Sequence, residues 1–89
     1  MSFDWDVANV EHIARHRITP GECEDAYRNG PMAIERQRRR HERRRLCLGE
    51  TSRGRLLTFV VIDRMGKVRF VIAYPMPAAQ RRIYRGEGE

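Results

Sequence analysis

Between Arg36 and Arg45, seven of ten residues are arginine. A guanidinium is a permanently charged planar fork that grips phosphate or carboxylate through paired N–H donors, so a run this dense is chemistry aimed at a polyanion. The bias runs through the whole chain: of 18 basic residues only Lys67 is lysine. High-GC coding produces the same bias, so the spacing of the arginines carries more weight than their number. Folded into a hairpin tip, the run forms a positive prong that holds several phosphates, with an affinity that falls steeply in salt. Two other readings stay open at this point: a solvated loop, or a docking surface for an acidic protein segment. The run lacks the interleaved aromatics that would stack on bases.

Other side chains with chemical potential are sparser. His12 and His16 stand four apart and can share one helix face, but no third ligand is evident, so no metal site is expected. No cofactor is expected either. Cys23 falls on the apolar side of a helical pattern and Cys47 between two leucines; both read as small buried hydrophobes. Glu42 and Glu50 are placed to act as bases, although an ion pair with a neighbouring arginine is the plainer role.

At 89 residues with 40% hydrophobic content, the chain is long enough for one core and one domain, taken as 1–89. The longest apolar run, Leu56 to Ile62, is far short of a bilayer span of roughly 20 residues, and the opening Met-Ser-Phe-Asp-Trp-Asp has no signal-peptide character. A cytoplasmic protein with no membrane partner is expected. The net charge of +6 is uneven: residues 1–30 hold six acids and three bases, residues 31–45 seven arginines and two acids. The positive surface therefore belongs to the downstream part.

The elements that must carry these residues can be read from periodicity. Val7, Val10, Ile13 and Ala14 fall on one helical stripe after Asp6, a suitable N-cap, and predict a helix to about Arg15. Thr19-Pro20-Gly21-Glu22 is a capping box with Pro at the first helical position. It opens a second helix that turns Cys23, Ala26 and Tyr27 inward and stops at Asn29-Gly30-Pro31. From Met32 the period changes to two. Strands are predicted over Met32 to Gln37, Arg45 to Glu50, Arg55 to Ile62 and Val68 to Tyr74, joined by short turns into a four-stranded antiparallel sheet with Leu56 to Ile62 at its centre. The last strand is expected to carry Val68, Phe70, Ile72 and Tyr74 on one face and Arg69, Val71 and Ala73 on the other. Ala78 to Arg85 predicts a short helix with Ala79 and Ile83 inward, and a frayed tail from Gly86 to Glu89. The fold class is α+β, and whether Phe3 to Trp5 adds a strand is left open.

In this order, particular stretches resemble the BrnT family of type II toxin–antitoxin toxins, which are similar in fold to RelE and ParE. They are Phe3-Asp4-Trp5-Asp6; Ile13-Ala14-Arg15-His16 with Ile18-Thr19-Pro20; Leu46-Cys47-Leu48-Gly49; Gly54-Arg55-Leu56-Leu57; Asp63 to Arg69; and Ile72-Ala73-Tyr74-Pro75-Met76 with Arg81 and Tyr84. The resemblance implies a RelE-like toxin fold and metal-independent cleavage of RNA that inhibits translation. It also implies neutralisation by a ribbon-helix-helix antitoxin whose complex, rather than the toxin alone, binds operator DNA. Such cleavage needs the 2′-hydroxyl deprotonated, the leaving oxygen protonated and the charge on phosphorus held by fixed donors. The resemblance points to Arg64, Arg69 and Arg81 as phosphate holders and to Tyr74 or His16 as the proton-transfer group, with Tyr84 nearby, all meeting at one edge of the sheet. Arg38, Arg39, Arg40, Arg43, Arg44 and Arg55 would contact RNA or antitoxin. The chain departs from the family where Tyr74 and Pro75 replace an arginine-bearing strand end and Pro77 replaces a Ser/Thr cap. The alternative is a toxin-fold module without catalysis that binds an antitoxin or nucleic acid.

Overall fold

The computed structural model describes residues 2–87, so the expected fraying of the tail falls in part outside the described residues. Strand β1 (Ser2–Phe3) precedes helix α1 (Val7–Ala14) and helix α2 (Pro20–Arg28). Strands β2 (Met32–Arg39), β3 (Glu42–Glu50), β4 (Leu56–Arg64) and β5 (Lys67–Pro75) follow, and helix α3 (Ala78–Tyr84) closes the order. The architecture is α+β, as the periodicity predicts. The sheet has five strands rather than four, in the order β1-β5-β4-β3-β2. The four long strands form the expected antiparallel meander, with β4 at its centre. The addition is β1, which pairs in parallel with β5 through Ser2 opposite Lys67 and Phe3 opposite Val68. Two residues are too short to show a period of two, so periodicity leaves this strand open.

Both long helices begin as their caps dictate. The Asp6 carboxylate accepts from the Asn9 N–H, and the Asn9 side-chain oxygen accepts from the Asp6 N–H. Thr19 and Glu22 make the reciprocal pair that opens α2, and Gly30 takes the left-handed conformation after that helix. The inward stripe of α1 is rotated from the expected one. Val7 is 71% exposed and Ala14 is exposed, whereas Asn9 and Ile13 are buried. The Asn9 amide explains this, because its N–H groups donate to the carbonyls of Asp4 and Phe70 and draw that face of the helix onto β5.

The core lies between these helices and one face of the sheet: Ile13, Ile18, Cys23 and Ala26 against Cys47, Leu57, Phe59, Val61, Phe70 and Ala73. Phe59 and Phe70 are in contact at 5.0 Å between ring centroids, and Trp5 stacks on Phe70 at 5.3 Å. Helix α2 comes close to the sheet at Gly49, where an added Cβ would lie 3.0 Å from the Phe59 ring and 3.4 Å from the Ala26 carbonyl oxygen. Both cysteines are free and fully buried. Burial pushes the Cys23 thiol up to about 12 and raises that of Cys47 as well, so neither is a nucleophile.

Two further expectations need correction. Alternation along β5 is broken by a bulge: Val60 faces Ile72 and Val61 faces Phe70, so Val71 is the extra residue. Beyond it the faces exchange, and Ala73, not Ile72 or Tyr74, continues the buried row begun by Val68 and Phe70. In α3, Ala79 is exposed and Ile83 is 50% exposed. The helix instead meets the sheet through polar contacts, Gln80 with the buried Thr58 hydroxyl and the Tyr84 hydroxyl donating to Glu50. Pro77 supplies no side-chain cap to it. No helix among the described residues is long and apolar enough to cross a membrane.

Candidate functional site

The arginine run is a strand pair rather than a loop. Register places Arg36 opposite Arg45, Arg38 opposite Arg43 and Gln37 opposite Arg44, with Arg40 and His41 in the turn. Because strand side chains alternate, Arg36, Arg38, Arg43 and Arg45 share the face that bears Cys47 and the helices, while Arg39 and Arg44 share the other. Helix α2 reaches this end only through Tyr27, whose hydroxyl accepts from Arg45 Nη2 at 2.9 Å. Beyond that contact the strands are bare, and Arg36, Arg38 and Arg43 are exposed.

Arg45 is the fixed member of the group. Its guanidinium lies 5.7 Å from the Tyr27 ring centroid and pairs with Asp63 at 3.1 Å. Burial disfavours its charge, but the hydrogen bond to Tyr27 and the charge of Asp63 outweigh that and hold its pKa above the ordinary value. The Arg45 Nε is buried with no hydrogen-bond partner. Asp63 faces Arg43 across β3 and β4, so one carboxylate serves a row of cations. Arg44 is tied to Glu42 at 3.4 Å. Arg36, Arg38, Arg39, Arg40, Arg43, Arg64 and Lys67 have no acidic partner within ion-pair distance among the described residues.

The turn of β4 and β5 lies beside the turn of β2 and β3, at the same end of the sheet. Between them an open depression of about 770 Å³ is lined by Arg39, Arg40, His41, Glu42, Asp63, Arg64 and Met65. A second hollow, about 460 Å³, is lined by Arg36, Gln37, Arg38, Arg43, Arg44, Arg45 and Asp63. Together they form a concave cationic surface. Like charges directly opposite one another on adjacent strands destabilise a sheet, yet Arg36 faces Arg45 and Arg38 faces Arg43. An anion placed on this surface would relieve that repulsion.

The five residues that the resemblance marks for catalysis are divided. Arg64 belongs to this cationic end. Arg69 is held by two carboxylates, Asp6 at 3.0 Å and Asp4 at 3.6 Å, with only 16% of its side chain exposed. The hydrogen bond from Arg69, followed by that of the Asn9 N–H, keeps the Asp6 carboxyl below the usual range. Arg69 therefore anchors the N-terminal segment to β5. His16 and Tyr74 meet at the opposite end, and Arg81 of α3 is tied to the segment that follows β5. The His16 and Tyr74 rings lie edge to face at 6.3 Å, and Arg81 donates to the carbonyl of Met76, two residues beyond Tyr74. Lys67, opposite Arg64, and Tyr74 are separated by seven steps of strand, about 20 Å. Arg64, Arg69 and Arg81 therefore do not meet at one phosphate.

Arg55 also has a role that its residue type did not announce. It donates to Glu22 at 3.0 Å, to the Arg17 carbonyl at 2.9 Å and to the His16 carbonyl at 3.3 Å. Burial raises the Glu22 pKa, but the Arg55 hydrogen bonds and the Thr19 N–H overcome it and leave the carboxyl lowered. Arg55 thus positions the turn that carries His16. Tyr27 packs against the core as its sequence position predicts, but its second contact, with Arg45, was missed from sequence, as were the places of Asp63, Met65 and Lys67 at this end; the alternation Arg43-Arg45-Cys47-Gly49 was the available sign that Arg45 points toward α2. Compared with known proteins, the chain matches no family model, no curated protein and no solved structure.

Proposed function

We propose that this chain is an RNA-directed toxin of the kind its sequence resembles, holding the RNA backbone on the cationic end of its sheet and neutralised by a ribbon-helix-helix antitoxin. The observation that carries the reading is the pairing of arginine with arginine across β2 and β3, with Arg36, Arg38 and Arg43 exposed and without acidic partners among the described residues. A sheet built only for stability places opposite charges there. Backbone phosphates, regularly spaced and singly charged, fit such a surface without requiring base recognition.

Cleavage, on this reading, belongs to the other end. His16 and Tyr74 are the adjacent pair able to take and return a proton, and Arg81 is the nearby cation for the developing charge. About 20 Å separates the two ends, which roughly six stacked nucleotides span at about 3.4 Å each. Purified protein should cut mRNA without added metal, and expression should arrest growth unless a ribbon-helix-helix protein is co-expressed. Positioned general acid–base groups contribute about 10²- to 10⁴-fold, so His16→Ala and Tyr74→Phe should each slow cleavage by at least about a hundredfold while RNA affinity is unchanged. Intact RNA after prolonged incubation with stoichiometric protein would remove the catalytic half of the proposal.

That result would leave a second reading, a module that binds RNA or antitoxin without chemistry. It is favoured by the division of Arg64, Arg69 and Arg81 among separate surroundings and by the two carboxylates on Arg69. RNA binding without cleavage, and no growth arrest, would identify it.

A further inference from the structure

On one wall of the first cationic depression stands a side chain of a different kind. Met65 is 95% exposed, and it occupies the turn between Arg64 and Lys67, which pair across the hairpin. Its φ is +52° and that of Gly66 is +77°, the two positive values that a type I′ turn requires. The first position of such a turn favours Asn, Asp or Gly, which tolerate the left-handed region; a long side chain there is strained. Single exposed apolar residues are ordinary on protein surfaces. Arg40 shares the positive φ, the exposure and the wall of the same depression; what sets Met65 apart is that its side chain there is apolar. Strain held without internal contact points to an external one.

We infer that Met65 is the base-contacting residue of the RNA surface, packing its thioether against the face of an unpaired nucleobase whose flanking phosphates lie on the arginines. The inference rests on the proposed RNA binding and adds to it the class of ligand, single-stranded RNA with accessible bases. The arginine run offers no Phe, Tyr or Trp for stacking; its one ring is the His41 imidazole, and Met65 supplies the exposed apolar surface on the wall of the same depression. Methionine is well suited to such a contact, because its unbranched chain adapts to any base and its polarisable sulfur interacts favourably with aromatic rings. Recognition of this kind is tolerant of sequence, since every base presents a π-face. The short turn fixes where the side chain emerges, and the chain's own flexibility does the rest.

Met65→Asn tests this without endangering the fold, since Asn is a preferred residue for the turn. With fluorescein-labelled single-stranded RNA, the variant should bind about three- to tenfold more weakly than the wild type, the range that sulfur–aromatic contacts support. The salt dependence of binding should be unchanged, because no phosphate contact is lost, and Met65→Leu should retain most of the affinity. An oligonucleotide of abasic residues should bind wild type and Met65→Asn equally. Equal affinity of Met65→Asn and wild type for ordinary RNA overturns the inference and leaves the cationic surface intact. A weaker variant with a shallower salt dependence also overturns it, since Met65 would then be acting through phosphate contacts. If the wild type binds no RNA, the parent proposal fails.

Discussion

Removing Arg38, Arg39 and Arg40 together is the perturbation that most directly tests the cationic end. All three are exposed, and none has an acidic partner among the described residues. Their replacement by alanine removes charge without orphaning a carboxylate, and the truncation also lifts the Arg38–Arg43 repulsion. Binding to single-stranded RNA releases condensed counterions, so log K falls with log salt at a slope of about −0.7 for each phosphate neutralised. If the seven unpaired cations of this end each hold a phosphate, the wild-type slope is about −5, and affinity drops roughly a thousandfold between about 50 and 200 mM salt. With three fewer contacts the slope becomes about −3 and the drop roughly fiftyfold. Fluorescence anisotropy of a labelled RNA titrated across that range measures both. The melting temperature without RNA should stay level or rise. A slope that is the same in wild type and variant would show that these arginines do not touch phosphate, and the functional reading of the run would have to be abandoned.

Three further outcomes follow from the contacts described. Arg69→Ala should lower the melting temperature, because Asp4 and Asp6 lose their shared cation, yet leave RNA affinity unchanged; a loss of binding at constant stability would return Arg69 to the ligand surface. The carboxyls of Asp6, Asp25 and Glu22 are all held low, by Arg69, by Ser52 and, against burial, by Arg55. Lowered folded values mean stability that is complete above the unfolded carboxylate range and lost as pH falls through the folded one, so thermal melts should weaken below roughly pH 4. Melting temperatures that stay flat from about pH 6 to about pH 2.5 would contradict those contacts. Gly49→Ala should cost about 1–3 kcal/mol in urea unfolding through overpacking against Phe59 and the backbone of α2, and an unchanged midpoint would mean that the contact is slack.

Much of the fold was legible because its signals are local. Thr19 and Glu22 specify a helix start within four residues, and the change of period at Met32 separates helices from sheet with no reference to packing. What escaped depends on distant partners. The two-residue β1 exists because Val68 offers its carbonyl to Asp4 and the β5 edge is free to accept a neighbour. The rotation of α1 needs Phe70, sixty-one residues away, as the acceptor for Asn9. The bulge at Val71 leaves no mark in an alternating pattern, since Val, Ile and Tyr suit either face. Ile83 is apolar, but the polar pair Gln80 and Tyr84 sets the roll of α3.

For the site, residue type was informative about charge and silent about who neutralises it. Seventeen arginines look alike in a sequence; in the fold they separate by partner. Arg55 and Arg69 are consumed by Glu22, Asp4 and Asp6, all from the acidic first thirty residues. Arg45 is shared by Tyr27 and Asp63. The arginines of the β2–β3 run other than Arg44 and Arg45 are left over because they lie beyond the reach of the helices that carry those acids. The charge asymmetry along the chain thus becomes an asymmetry in space: the acidic helices neutralise the basic strands only where they cover them, and the uncovered end retains an unbalanced positive field. Helix α2 stops at Arg28, with Gly30 and Pro31 turning the chain into β2, and the exposed, self-repelling row that remains is the feature on which the proposed binding of a polyanion rests.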